Sequence, residues 1–286
     1  MSRSSSRASR ALRVYRGGRV VRALVVLLAV ALTPCLGGAT QFSVIFETDA
    51  DAGSGSEVVW EGFASLSHYM AMNYYDVLWT TLDLGATWNI GGFSTDGRQY
   101  LLVLESIPDG SAGNEVYLVT YASLADFGVH NYSWEGYTAH NINSLYTTRG
   151  LASDGIRYYM VLETDADDVA GSEVYAMTYT SLANLVAGNE ETEAFSGINI
   201  ASGWSIADLA ADGDKFYLVL ESDTDVATNE FYVITYASFA NFLSNTQESA
   251  AYSGFWVSSG WSCPGFAAEI PIFEDGFESG NTSAWD

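Results

Sequence analysis

Past residue 22 the chain has almost no positive charge. Only Arg98, Arg149, Arg157 and Lys215 follow, against 35 acids, all of which lie beyond that point. The body of the protein therefore carries a net charge of about −31. Such a surface repels nucleic acid and anionic lipid, which excludes partners of those kinds. Cysteine is nearly absent too. There are two, and Cys35 lies in an N-terminal segment that reads as removable, leaving Cys263 alone. No internal disulfide can form, so the core must hold the fold. The three histidines, His68, His130 and His140, stand in non-equivalent places. No Gly-x-Ser-x-Gly, His-Glu-x-x-His or phosphate-loop pattern is present, which removes the hydrolase and nucleotide chemistries those motifs announce. No stretch shows a 3.6-residue apolar period over a helical length, so the chain should be all-β. High acidity can mean disorder, but aromatic residues make up 14% of this chain and stand in periodic apolar runs, which argues for a packed core.

What is present begins at the N-terminus. Seven arginines from Arg3 to Arg22, the apolar run Ala23–Leu32 and the small residues Gly37, Gly38 and Ala39 come one after another. That order reads as a signal peptide over residues 1–39. The apolar run is too short for the roughly 20 residues a membrane span needs. An uncleaved anchor, or a lipoprotein using Cys35, are the other readings, the second poorly suited by Pro34. The expected location is secreted or cell-surface, of bacterial type, with no membrane span left after cleavage.

From Thr40 to Pro271 the chain repeats itself four times. The apolar runs Phe42–Glu47, Tyr100–Glu105, Tyr158–Glu163 and Phe216–Glu221 each end in glutamate, 58 residues apart. A second glutamate comes next at Glu57, Glu115, Glu173 and Glu230. Beyond it lie Phe63-Ala-Ser-Leu, Tyr121-Ala-Ser-Leu, Tyr179-Thr-Ser-Leu and Tyr236-Ala-Ser-Phe. Asp-Gly recurs at 96–97, 154–155 and 212–213, with Glu269 in the equivalent place. Trp88, Tyr146, Trp204 and Trp261 each stand eight residues before that acid. A fixed period of this size announces a stacked repeat architecture.

Each repeat holds four strand candidates, here named A to D. In the last full copy these are Trp204–Ala211, Phe216–Glu221, Glu230–Ala237 and a weaker Ala251–Val257, with an Asp212-Gly213 hairpin between the first two. Four antiparallel strands, apolar on both faces, make a blade of a β-propeller. The chain opens in strand B and ends in an orphan strand A at Trp261. In a closed ring that last strand completes the first blade, so four blades is the self-consistent count. A β-sandwich of the same strands is the competing architecture.

The A-to-C pattern, Asp154-Gly155…Tyr158-Tyr159-Met160 and then Ser181-Leu182-Ala183-Asn184-Leu185, resembles blades of the five-bladed glycosidase propellers of arabinanase and xylosidase type. The resemblance implies a propeller and, more distantly, glycan chemistry. It covers about a third of each repeat. The family's tryptophan and its aspartate before leucine are missing, and no catalytic carboxylate of that family has a match here. The C-terminal stretch 272–286, with Asp275-Gly-Phe-Glu-Ser-Gly-Asn-Thr-Ser-Ala-Trp285, resembles a tail that ends many secreted bacterial proteins. It implies export or a surface context. A disordered acidic tail is the other reading.

Three groups of residues could carry function. The B–C loops hold Asp49, Asp51 and Glu57, then Asp165, Asp167 and Glu173, then Asp223, Asp225 and Glu230. Closely spaced carboxylates can surround calcium, which takes six to eight oxygens in irregular geometry. The same residues also suit turns and amide bonding. Trp88, Tyr146, Trp204 and Trp261 form the ligand-binding candidate. Ranged around a channel mouth they would suit sugar stacking, and packing between blades is the alternative. Asp208 is the one catalytic candidate, because it breaks the symmetry set by Gly92, Gly150 and Gly265, though a solvated channel aspartate would look the same. The sequence thus predicts an acidic, exported propeller that binds a glycan or an extracellular protein, with calcium as a possible stabiliser. A propeller glycoside hydrolase and a structural surface protein are the alternatives.

Overall fold

The computed structural model describes residues 40–48, 57–84, 87–106, 115–164, 173–223, 230–254, 257 and 260–269. The signal-like segment, the C-terminal tail and most of the four B–C loops lie outside the described residues, and with them Asp49, Asp51, Asp165, Asp167 and Asp225.

The fold is a four-bladed β-propeller. In chain order its strands are β1 (Phe42–Thr48), β2 (Val58–Phe63), β3 (Asp76–Trp79), β4 (Trp88–Thr95), β5 (Tyr100–Ser106), β6 (Val116–Tyr121), β7 (Trp134–Tyr137), β8 (Tyr146–Ser153), β9 (Tyr158–Thr164), β10 (Val174–Tyr179), β11 (Thr192–Phe195), β12 (Trp204–Ala211), β13 (Phe216–Ser222), β14 (Phe231–Tyr236), β15 (Ser249–Tyr252) and β16 (Trp261–Ala268). They form four antiparallel sheets in the orders β16-β1-β2-β3, β4-β5-β6-β7, β8-β9-β10-β11 and β12-β13-β14-β15. The last strand therefore completes the first blade. It pairs with β1 from Phe42↔Ala268 to Thr48↔Trp261.

The unbroken apolar runs of the B strands result from this architecture. Each blade is covered on both sides, so successive residues enter two different cores. Phe42, Val44 and Phe46 pack with Tyr217, Val219 and Phe231 of the fourth blade. Ile45, between them, packs with Phe93, Leu102 and Tyr121 of the second. Two further cores lie between blades two and three and between three and four.

Two expectations need correction. First, strand C of the last full copy ends at Tyr236 rather than Ala237, and it is followed, as in every blade, by the repeated Ala-Ser-Leu (Thr-Ser-Leu in the third, Ala-Ser-Phe in the fourth). The serine of that motif caps a single helical turn: α1 (Leu66–Met70), α2 (Leu124–Gly128), α3 (Leu182–Val186) and α4 (Phe239–Leu243). Ser65, Ser123, Ser181 and Ser238 are extended, and each side chain accepts the amide three residues on. Five residues are too few to show a helical period, which hides these turns from a sequence reading. Each turn buries one large apolar side chain, Tyr69, Phe127, Leu185 or Phe242. Replacing Ser181 by alanine should cost about 1 kcal/mol in a urea melt, as for other N-caps. The four caps are far apart, so their losses should add. Second, the last outer strand is Ser249–Tyr252 rather than a run to Val257. The polar stretch before it, which reads in sequence as a connection, supplies its first residue.

The two sets of repeated glutamates are internal fasteners. Glu57, Glu115, Glu173 and Glu230 are buried. Each accepts an amide of the segment that leads to the next blade: Leu84 at 3.0 Å, Ile142 at 2.5 Å, Ile200, and Val257 at 2.7 Å. The other set reaches across to the neighbouring inner strand. Glu105 accepts from Thr148 at 2.7 Å, Glu163 from Ile206 at 3.2 Å and Glu221 from Cys263 at 3.1 Å. Every such bond satisfies an amide that the sheets leave unpaired.

Glu61 departs from the repeat. It stands on β2 where the other blades have Val119, Met177 and Ile234, and its Oε2 is buried without a hydrogen-bond partner. Burial pushes its pKa up to about 7. Between roughly pH 4.5 and 7 the folded chain then holds a proton that the unfolded chain releases, so this residue's contribution to stability falls as pH rises through that window and is flat above it. Glu61→Gln should match the native protein near pH 4.5. At pH 8 it should exceed it by on the order of 2 kcal/mol, as read from urea midpoints at both pH values.

Candidate functional site

The inner strands β16, β4, β8 and β12 surround the axis. Each carries one extra residue relative to its partner, at Gly91, Arg149, Ala207 and, in β16, at Cys263–Pro264. A bulge twists the strand and re-aims the next side chain. Here the next residue is the axial one, Gly92, Gly150, Asp208 or Gly265. At the three glycines a Cβ would stand 2.6 Å from Leu151 N, 2.7 Å from Leu209 N and 2.3 Å from a side-chain carbon of Ile45 respectively. There is room for one side chain only, and it is Asp208.

That side chain is fully buried. It accepts one amide from each blade. Oδ1 takes Leu151 N at 3.0 Å and Leu209 N at 2.7 Å, and Oδ2 takes Phe93 N at 2.9 Å and Phe266 N at 2.7 Å. Burial pushes the carboxyl's pKa up, and the four amides pull the other way. A proton on either oxygen would face only donors. The expectation of a solvated channel aspartate is therefore overturned: Asp208 closes the axis, and its place is that of a structural anchor. The sequence held a signal for this, since glycine in three of four equivalent places says that no Cβ fits there.

Trp88, Tyr146, Trp204 and Trp261 open the inner strands at the end that carries the B–C loops. None of the four has another of the four as a ring neighbour among the described contacts. Each packs with aromatics of its own blade. Trp88 meets Tyr117 and Tyr137 at 5.9 and 6.1 Å, Tyr146 meets Tyr175 at 6.2 Å, Trp204 meets Tyr232 and Tyr252 at 6.4 and 6.0 Å, and Trp261 meets Trp79 at 5.9 Å. The outer members Trp79, Tyr137, Phe195 and Tyr252 are equivalent by position and 45–54% exposed. Each pairs directly across strands with Val59, Tyr117, Tyr175 or Tyr232. Every blade thus presents an aromatic ledge at the B–C end, which fixes the short outer strand and leaves ring surface in water. The sequence located the inner members and missed the outer ones, although their spacing obeys the same repeat.

One cleft lies between the third and fourth blades. Its volume is about 260 Å³, and it is lined by Thr147, Arg149, Glu163 and Thr164 on one side and Trp204, Ser205 and Asp223 on the other. Arg149 Nε stands 3.2 Å from Glu163 Oε2. Burial raises the Glu163 carboxyl to about 7, and Arg149 opposes the rise. Sequence reading passes over Arg149, although it is one of four bases in the body of the chain.

Among the described residues no group of three or more His, Cys, Asp or Glu side chains is placed to hold a metal ion. Glu57, Glu173 and Glu230, named above as calcium candidates, each accept a backbone amide on one carboxylate oxygen, while Asp223 lines the cleft. No helix among the described residues is long and apolar enough to cross a membrane.

No protein-family model matches the chain, and no curated protein matches it. Among solved structures, it is similar to a subtype N10 neuraminidase-like protein of A/little yellow-shouldered bat/Guatemala/060/2010. The match has 9% identity over 60% of this chain and 42% of that one, with a TM-score of 0.28. It is also similar to a subtype N11 neuraminidase-like protein of A/flat-faced bat/Peru/033/2010 (H18N11), at 12% identity over 65% and 39%, with a TM-score of 0.24. The chain thus spans less than half the length of either. A likeness at that level carries no argument about activity.

Proposed function

We propose that this propeller is an exported binding module that holds glycans at the end of the molecule carrying the B–C loops. One observation carries the reading: every blade sets a half-exposed outer aromatic there, on Trp79, Tyr137, Phe195 and Tyr252, in an otherwise strongly acidic chain. Aromatic rings stack on the C–H faces of sugars, and four equivalent ledges on one body suit a polymer of repeating units. Two ledges engaged at once raise avidity without any new contact. The basic, apolar and small-residue order of the first 39 residues supports export.

Retention on insoluble polysaccharides tests the proposal. The native protein should bind at least one neutral polysaccharide. Trp79→Ala/Tyr137→Ala, which strips two ledges, should weaken binding at least tenfold and leave melting within a few degrees. Binding to an extracellular protein with no retention on any polysaccharide would replace the glycan reading with the protein one.

A further inference from the structure

The lining of the cleft between the third and fourth blades departs from the fourfold pattern, and the largest departure is one residue. At the bulge of the inner strand the other blades have Gly91, Ala207 and Pro264, none of which can reach outward with a charge. In the third blade the same bulge carries Arg149, whose side chain is 40% exposed and stands against Glu163. A bulge is a common means of re-aiming a side chain. Opposite Arg149, Trp204 forms part of the wall, its ring fixed by Tyr232 and Tyr252.

The chemistry of this lining narrows what fits. A carboxylate or phosphate would meet Arg149, but also Glu163 and Asp223. A small cation would meet Arg149 at close range. An apolar ligand would strip water from charged and hydroxyl groups and return nothing to them. A polyol suits both signs of charge at once. Its hydroxyls accept from the guanidinium, donate to Glu163 and Asp223, and do either with Ser205, while its C–H face lies on the indole. A volume of about 260 Å³ is small among ligand pockets and suits one ring rather than a chain.

We infer that this cleft is the specificity-determining subsite, holding a single neutral sugar unit, with Arg149 as the residue that orients it. The inference rests on the glycan reading above and adds to it: the ledges hold the polymer, and one unit of that polymer is recognised between blades three and four. The ligand is chosen by hydroxyl arrangement rather than by charge.

Titration calorimetry of the full chain tests this with three probes: neutral hexose oligosaccharides, hexuronate oligosaccharides and glucosamine oligosaccharides of equal length. A neutral series should bind tightest. Arg149→Ala should lower its affinity at least tenfold, and Arg149→Lys, which keeps the charge and loses the planar fork, by several-fold. Both should melt within about 2 °C of the native chain, since the loss is one of recognition. Trp204→Phe should weaken the same ligand, which separates a sugar wall from mere packing. Tighter binding of hexuronate than of its neutral counterpart overturns the inference. So does an Arg149→Ala affinity within twofold of native while the ledge variants still lose theirs, and in that case the glycan reading survives. If none of the three sugar classes binds, both readings fall together.

Discussion

Replacing Asp208 by glycine, the residue that the other three blades carry, should unfold this protein more effectively than any other single change. Four buried amides, one per blade, would lose their acceptor at once. Hydrogen bonds to a charged group contribute about 1.5–3 kcal/mol each, and a buried donor left without a partner costs about 1–3 kcal/mol. Allowing for relaxation and water entry, the loss should be at least about 4 kcal/mol, a size that single substitutions rarely reach. In a domain of this size each kcal/mol moves the melting temperature by about 2–4 °C, so a fall of about 10 °C or more is expected. Asp208→Asn is the sharper test. A catalytic aspartate tolerates this change with its stability intact. Here the new NH₂ group would face two amide donors, and the variant should lose nearly as much as the glycine one. Formate should partly restore the glycine variant and leave the native protein unmoved, because it can occupy the same four amides. An asparagine variant that melts with the native chain would overturn the assignment of Asp208 as the axial anchor.

Removing residues 260–286 should cost far more stability than the loss of 27 residues by itself suggests. It takes away β16, the inner strand of the first blade. That exposes the edge of β1 and removes the buried Cys263, Phe266, Ala267 and Ala268 from two cores. It also removes one of Asp208's four donors and the Glu269 carboxylate that accepts from Ser43 at 3.0 Å and Tyr100 at 3.1 Å. The shortened chain should lack a cooperative melt and should bind a hydrophobic dye. A chain ending at Phe273 provides the length control. If both truncations melt alike, the ring does not depend on this closure.

Much of the architecture is readable because the repeat makes it so. The equal spacing of Glu47, Glu105, Glu163 and Glu221 sets the number of units, and the orphan strand at Trp261 sets the closure. The B strands can be found from composition, since a strand with a core on either side has no polar face to interrupt it. What stays hidden involves contacts between repeats. Glu105 reaches Thr148 in the next blade, 43 positions along, and a carboxylate bound to an amide reads in sequence just as one bound to calcium or to water. Asp208 is recognisable as the odd residue. That oddity marks the crowded axis, where symmetry has to fail because four side chains cannot share one point. Arg149 is the converse case. Its counterparts in the repeat are small, and only the cleft beside it shows what the larger side chain reaches.

The pairing of Phe42 with Ala268 also decides how the molecule would be displayed. Glu269 N donates to Gln41 O at 2.8 Å, so the chain enters and leaves the ring at neighbouring points. Both points lie at the hairpin end of the inner strands. The ledges and the cleft lie at the other end, about seven residues and so about 23 Å away along β16. A tether joined beside Gln41 or beside Glu269, or at both, would hold the ring by its back. The aromatic end would then face outward, and neither attachment would shade it. Fusing a carrier directly before Thr40 or directly after Glu269 should therefore be equivalent for binding, whereas an insertion into a B–C loop should not.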